Sequence, residues 1–447
     1  MKITDKIDAA RFAEAWRNGM AGDKSWLYDS EVSLSPGAQA QALPEGVQST
    51  GPMPHLSPMH DMYNAWEFGG WKQEAMSITT SGYIGDWTYL RKVHIKGPDA
   101  IKCLERSTIT KYGKFPVGKA KHIISVREDG KLLGEGIAFR LGEDEVLCTG
   151  GHPVSIGFMI QTEGLDIVAR DCSFEEYCYH VQGPVSLEVL ERSTGEDLKD
   201  IDFTYFRYSS IAGRKVRIFR GGMSGELGYE VHGDAADGSV IWNAILEAGK
   251  PLGLVQLGHR TMPFNHLEAY FPTCWLDYIP ATFHADPQTE DVLFHSPIEF
   301  GWINTIDFDR EFPGREILLD EIKNPKKKSV MLVWNSEDVL KIYASLFDDE
   351  PDSIELPAMP VKNSETHASF ALPVLTQDYQ LAGFATNRGY SPRTKKFISI
   401  TQLDAAYAAE GTELLVKYGE EGKRQIMIRA IVQNAPYKQD NRRVQIK

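Results

Sequence analysis

The pattern of apolar and polar positions divides the chain into three textures. The first twenty residues, MKITDKIDAARFAEAWRNGM, alternate charge with short apolar pieces and predict an amphipathic helix. Residues 30–60 are rich in Pro, Gly, Ser and Gln and predict a long irregular segment, either a surface extension or a lid over a site. From Trp87 to Gly97 the pattern is strand-like. Gly97-Pro98 then turns into a helix with apolar residues at Ala100, Ile101 and Leu104. Three strands follow, with Asp129-Gly130 as the turn between the first two. The same order then recurs. YCYHVQGPVSLEVLERS reads as strand, Gly-Pro and helix, and KVRIFRGG, ELGYEVHG and the helix SVIWNAILEAG come after it. This recurrence predicts a duplicated α+β unit, two ferredoxin-like subdomains packed together. Beyond Lys326 the chain reads as strands separated by turns, which predicts an all-β C-terminal barrel or jelly roll. The predicted fold class is α+β in three parts: residues 1–80 as helix and extension, 81–325 as the duplicated core, and 326–447 as the β domain.

A chain of 447 residues is longer than one hydrophobic core sustains, which agrees with several domains. The net charge of −14 changes the list of partners, because such a surface repels phosphate backbones. Nucleic acid is therefore not an expected partner. No stretch approaches the roughly 20 apolar residues of a membrane span, and the start lacks the apolar core of a signal peptide. The expectation is a cytoplasmic protein with no membrane partner, as a monomer or a homo-oligomer. Cys103, Cys148, Cys172, Cys178 and Cys274 are irregularly spaced without a CxxC pair, and no HExxH pattern exists. Buried thiols and no metal are expected. The run Lys326-Lys327-Lys328 reads as a solvated linker.

Four segments carry a resemblance. GMSGELGYEVHG (Gly222–Gly233), LGHRTMPFNHLEAYFP (Leu257–Pro272), DFDREFPGREIL (Asp307–Leu318) and GFATNRGYSPRTKKFISI (Gly383–Ile400) resemble, in order, segments of the glycine-cleavage aminomethyltransferase family. VWNSEDVLKIYASLFDDE (Val333–Glu350) is similar to the branch of tetrahydrofolate-dependent aryl O-demethylases acting on lignin-derived methoxybenzoates. The resemblance implies a folate-binding-type α+β core, tetrahydrofolate as a cofactor, and removal of a one-carbon unit from a small phenolic aromatic.

Residue by residue, Glu230 matches the family glutamate that accepts hydrogen bonds from the pterin, a task suited to a carboxylate facing adjacent N–H donors. Phe271 falls where the demethylases carry an aromatic near the pterin, and Arg260 lies in the matched helix, where a structural ion pair with Glu268 is the simpler expectation. The departures matter more. The demethylases' acid/base tyrosine falls in the segment Arg260–Pro263, where Met262 cannot transfer a proton. Their histidine pair corresponds to Thr88-Tyr89, and their carboxylate-binding arginine to Gly151, beside His152. The replacements available for catalysis are Tyr89, His152, His259, His266 and Tyr270.

Breaking an aryl methyl ether requires protonation of a poor leaving group. Loss of the tyrosine and the arginine points instead to a neutral phenolic substrate and a different bond. The favoured reading is a lyase that expels formaldehyde from a hydroxymethyl side chain, leaving a stilbene, with no need of a methyl acceptor. A tetrahydrofolate-dependent O-demethylase and a non-catalytic folate-binding protein are the alternatives.

Overall fold

The computed structural model describes residues 33–34, 56–59, 62–150, 160–173, 175–282, 286–357, 359 and 371–446. The expected N-terminal helix lies outside them, as does most of the segment 30–60. Three short strands, β1 (Ser33–Leu34), β2 (Leu56–Met59) and β3 (Met62–Ala65), form a small sheet of order β1-β3-β2. Helix α1 (Trp71–Thr80) and strand β4 (Tyr83–Asp86) lead into the core.

The first half runs β5 (Arg91–Lys96), α2 (Ala100–Ser107), β6 (Ala120–Val126), β7 (Leu132–Gly142), β8 (Glu145–Gly150) and β9 (Val168–Asp171). The second runs β10 (Glu176–Gln182), α3 (Ser186–Thr194), β11 (Phe206–Ile211), β12 (Arg214–Arg220), β13 (Gly228–Asp234), α4 (Gly238–Gly249) and β14 (Val255–Leu257). Their sheets have the orders β6-β7-β8-β5-β9 and β11-β12-β13-β10-β4-β14. Each half is thus a strand, a helix and a three-stranded meander whose last strand pairs with the first. The duplication legible in the sequence is a structural fact. Both Gly-Pro turns need their glycine: φ is +142° at Gly97 and +106° at Gly183. A Cβ there would stand 2.3 Å from the Asp166 carbonyl oxygen and 2.6 Å from the Gly82 Cα respectively.

Helices α5 (Met262–Ala269), α6 (Pro287–Leu293) and α7 (Arg315–Lys323) connect the halves to the C-terminal barrel. The barrel comprises β15 (Lys327–Trp334), β16 (Leu372–Leu375), β17 (Leu381–Ser391), β18 (Lys396–Asp404), β19 (Glu413–Tyr418) and β20 (Ile426–Gln433), closed in the order β15-β18-β17-β16-β19-β20. Helix α8 (Ser336–Ala344) follows β15, with the Asn335 side chain accepting from Glu337 N and Asp338 N as its N-cap. The basic run is not a linker: Lys327 and Lys328 open β15, and the Lys327 ammonium meets Asp291 at 2.8 Å. Among the described residues no helix is long and apolar enough to cross a membrane.

Period-two alternation along β10 decides where the chemistry sits. Tyr177, Tyr179 and Val181 pack with Val189, Leu190, Trp242 and Ile245 in the core beneath α3 and α4. The alternate residues Glu176, Cys178, His180 and Gln182 therefore face the other side. In the register of the sheet, Cys178 lies opposite His232 and His180 opposite Glu230. Arg217 and Phe219 of β12 face His232 and Glu230 in turn.

Candidate active site

Glu230 is 3% exposed and lies between two imidazoles. Its Oε2 is 3.1 Å from His232 Nε2, and its Oε1 is 3.5 Å from His180 Nε2. His232 Nδ1 reaches Glu176 at 3.2 Å, and Arg217 grips Glu176 with both guanidinium nitrogens. Cys178 Sγ is 4.0 Å from His232 Nε2. Trp87 stacks on His180 at 4.0 Å with the rings 10° from parallel. Trp87 finds that place because residue 85 is glycine; a Cβ there would stand 2.5 Å from its ring. Burial works to raise the Glu230 carboxyl, but the His180 imidazole and the His232 hydrogen bond hold it below the ordinary value. Burial also works against protonation of His232, yet the Cys178 sulfur and the Glu176 hydrogen bond carry it well above the ordinary histidine value.

Tyr89 enters from the turn between β4 and β5, and that turn is pinned. The buried Lys92 ammonium donates to the carbonyls of Thr88 at 2.9 Å and Leu90 at 2.8 Å, one on each side of Tyr89. Asp86 accepts from Thr88 N at 2.9 Å, and the Thr88 hydroxyl accepts from Cys178 N at 3.1 Å. The result is that the Tyr89 hydroxyl meets the Met262 sulfur at 3.4 Å. A phenol from another element has thus been brought to the helix position where the sequence carries no tyrosine. Burial pushes the Tyr89 phenol above its ordinary value, so it stays protonated and acts as a donor.

The other expected residues divide. The His259 ring centroid is 6.3 Å from that of Tyr89, and the ring packs edge-on to Trp66. His266 Nδ1 is 2.6 Å from the Thr273 oxygen. Because the Thr273 hydroxyl donates to the Phe271 carbonyl, His266 donates from Nδ1 and keeps Nε2 as an acceptor. Burial, together with the His180 imidazole, pushes His266 down to about 3, so it is neutral near pH 7. Tyr270, in the left-handed region at φ +54°, packs into the core cluster that includes Met331 of β15. Arg442 lies over the Phe271 ring at 4.3 Å, so that aromatic face is already covered. Arg260 pairs with Glu67 at 2.6 Å and donates to the Met359 carbonyl at 3.1 Å. The expected Arg260–Glu268 pair is not formed. Glu268 turns to the barrel instead, where it accepts from the Ser391 hydroxyl and meets Arg393 at 3.5 Å. His152 and Gly151 lie outside the described residues.

A second group was missed from the sequence. His122 of β6 and Glu135 of β7 pair at 2.6 Å, edge-on to Trp302. Their side chains are 33% and 21% exposed, unlike those of the Glu230 group. Nearby, the wholly buried Asp277 accepts from Thr273 N and the Thr386 hydroxyl, both at 2.9 Å. Burial dominates there and raises its carboxyl to about 7.

Two like α+β halves and a closed barrel, with a buried cluster of ionisable side chains on the sheet of the second half, define the architecture. The chain belongs to the GCVT N-terminal domain family, whose match covers residues 54–285. A sesamin methylene transferase from Sinomonas sp. (strain No.22) is 33% identical over 408 residues, covering 83% of this chain and 89% of that protein. A syringate O-demethylase from Sphingobium sp. is 25% identical over 417 residues, with 83% and 89% covered. An aminomethyltransferase from Halalkalibacterium halodurans is 27% identical over 407 residues, with 86% and 98% covered. The fold matches the crystal structure of glycine cleavage system aminomethyltransferase T from Bartonella henselae. The TM-score is 0.67 at 16% identity, covering 87% of this chain and 95% of that one.

Tetrahydrofolate is the cofactor the resemblance implies, and the two residues that would face its pterin already have neighbours here. Both Glu230 oxygens face imidazoles rather than an open edge, and Arg442 occupies the face of Phe271.

Proposed function

We propose that this protein removes a one-carbon unit from a small phenolic aromatic as a lyase, expelling formaldehyde from a hydroxymethyl side chain without a folate acceptor. The observation that carries this reading is the buried Glu230 carboxylate, hydrogen-bonded to His232 and 3.5 Å from His180. The sesamin and syringate relatives support an aromatic substrate with an oxygen-bound carbon.

The chemistry balances without a cofactor. His259 takes the proton of the CH2OH group, the C–C bond to that carbon breaks, and formaldehyde leaves. The electron pair forms the stilbene double bond and expels the benzylic oxygen, which Tyr89 protonates to water. Tyr89 suits the donor role because burial keeps it protonated and Lys92 fixes the backbone on either side of it. A second reading, O-demethylation with a relocated acid, is favoured by one contact: the Tyr89 hydroxyl at the Met262 sulfur.

Product analysis separates the two. The purified chain is given a phenolic dimer bearing both a methoxy and a CH2OH group, with and without tetrahydrofolate. Formaldehyde and a stilbene without folate support the lyase. A catechol formed only with folate establishes demethylation and sinks the lyase.

A further inference from the structure

The Glu230 group contains more ligating chemistry than an acid–base role uses. One ligand atom each from Cys178, His180 and Glu230 all lie within 4.8 Å of one another, and all three residues are buried. Thiolate, imidazole and carboxylate are the donors that zinc-class ions take. Three protein ligands with a fourth position left for water or a substrate oxygen is the pattern of a catalytic rather than a structural zinc site. We infer that Cys178, His180 and Glu230 bind one divalent transition-metal ion of the zinc class. This proposal stands on the cluster itself and does not rest on the lyase reading.

Three further observations support it. The first is charge. Glu230 and Cys178 are buried together and share one neighbouring imidazole, His232, while the guanidinium of that face, Arg217, is bidentate on Glu176. A divalent ion supplies the positive charge that a buried carboxylate and thiolate call for. The second is orientation. Metal ligands are held by their neighbours, and here Arg217 bonds Glu176, whose carboxylate lies 3.2 Å from His232 Nδ1, and His232 Nε2 bonds Glu230. Trp87 fixes the plane of the His180 ring. The third is an orphan: His180 Nδ1, like His232 Nδ1 beside it, is buried without a hydrogen-bond partner. Such an atom is costly unless something else binds it. Spacing in the sequence gives no sign of the site, because β10 supplies Cys178 and His180 while β13 supplies Glu230.

The test uses the full chain. Metal is stripped with a chelator, and zinc and cobalt(II) are added back separately. Uptake is read by elemental analysis, and cobalt binding by its thiolate-to-metal charge-transfer absorption. The expected result is one equivalent of metal with that absorption present. It is lost in Cys178→Ser and kept in Cys148→Ser, a second buried thiol outside the cluster. If Cys178→Ser does not fold, as judged by circular dichroism, Glu230→Gln carries the test. It should retain the absorption while weakening affinity at least about tenfold. No uptake by the unaltered chain overturns the proposal. So does uptake whose spectrum and affinity are indifferent to Cys178 and Glu230, which would mark an adventitious ion.

Discussion

The two α+β halves share a topology and differ in what their matched strands carry. In the first half, β5 pairs with β8, placing His94 opposite Leu147. There His94 pairs with Glu145 at 2.7 Å near the surface, while Leu147 packs with Phe139 and Phe219. In the second half, the equivalent pair β10 and β13 carries Cys178, His180, Glu230 and His232, all buried. One sheet carries packing residues on its inner face, the other a buried ionisable cluster. The difference teaches that the scaffold supplies register and enclosure, whereas a handful of alternate strand positions decides the chemistry.

The largest expected effect is on catalysis. Tyr89→Phe removes the proposed donor and should lower kcat by about 10²–10⁴-fold, with folding unchanged. A steady-state assay of formaldehyde release reads it, and full activity would remove Tyr89 from the mechanism. Glu230→Ala should destabilise the chain by about 3–5 kcal/mol, because it leaves buried imidazoles without their carboxylate. Glu145→Ala, which breaks the partly exposed pair of the other half, should cost less than about 1 kcal/mol. Equal losses in chemical denaturation would contradict the contrast between the halves.

The third prediction concerns pH. The folded Asp277 carboxyl lies near 7, against 3.8 for the free side chain, because burial disfavours its charged form. A raised acid binds more protons when folded than unfolded, so its contribution is fully present below about pH 4. That contribution is lost as pH rises toward 7. Asp277→Asn should therefore gain stability relative to the unaltered chain between pH 5 and pH 8, by an amount on the order of a few kcal/mol. Melting temperatures across that range check it, and a constant difference would show that Asp277 does not titrate there. The smallest effect belongs to the C-terminal segment. Arg442→Ala uncovers Phe271 and should cost about 0.5–1 kcal/mol, read by denaturation.

Much of the fold was legible because its signals are local. The Gly-Pro turns, the Asp129-Gly130 hairpin and the alternating strands announce the two halves and the barrel. Tyr89 and His259 were legible as candidates beside the segment that lost its tyrosine, but of the buried cluster only Glu230 was legible, where a motif surrounded it. Its partners were missed although β10 alternates tyrosine and valine with Glu176, Cys178, His180 and Gln182 in plain view. That alternation says which residues share a face, but not that β13 brings His232 and Glu230 onto the same one. His122 and Glu135 were missed for the same reason, since pairing across a hairpin leaves no spacing motif. The expected Arg260–Glu268 pair failed because helical proximity in sequence says nothing of Glu67 or Arg393, which arrive from distant segments. Lys326–Lys328 read as a linker because charge alone does not reveal that Lys327 and Lys328 open a strand whose next four residues, Ser329 to Leu332, are buried.

The proposed lyase reading requires that Glu230, buried between His180 and His232, is not offered to a pterin. Calorimetric titration of the purified chain with tetrahydrofolate tests it directly. The account predicts no saturable binding at micromolar concentrations. Stoichiometric binding that disappears in Glu230→Gln would contradict it.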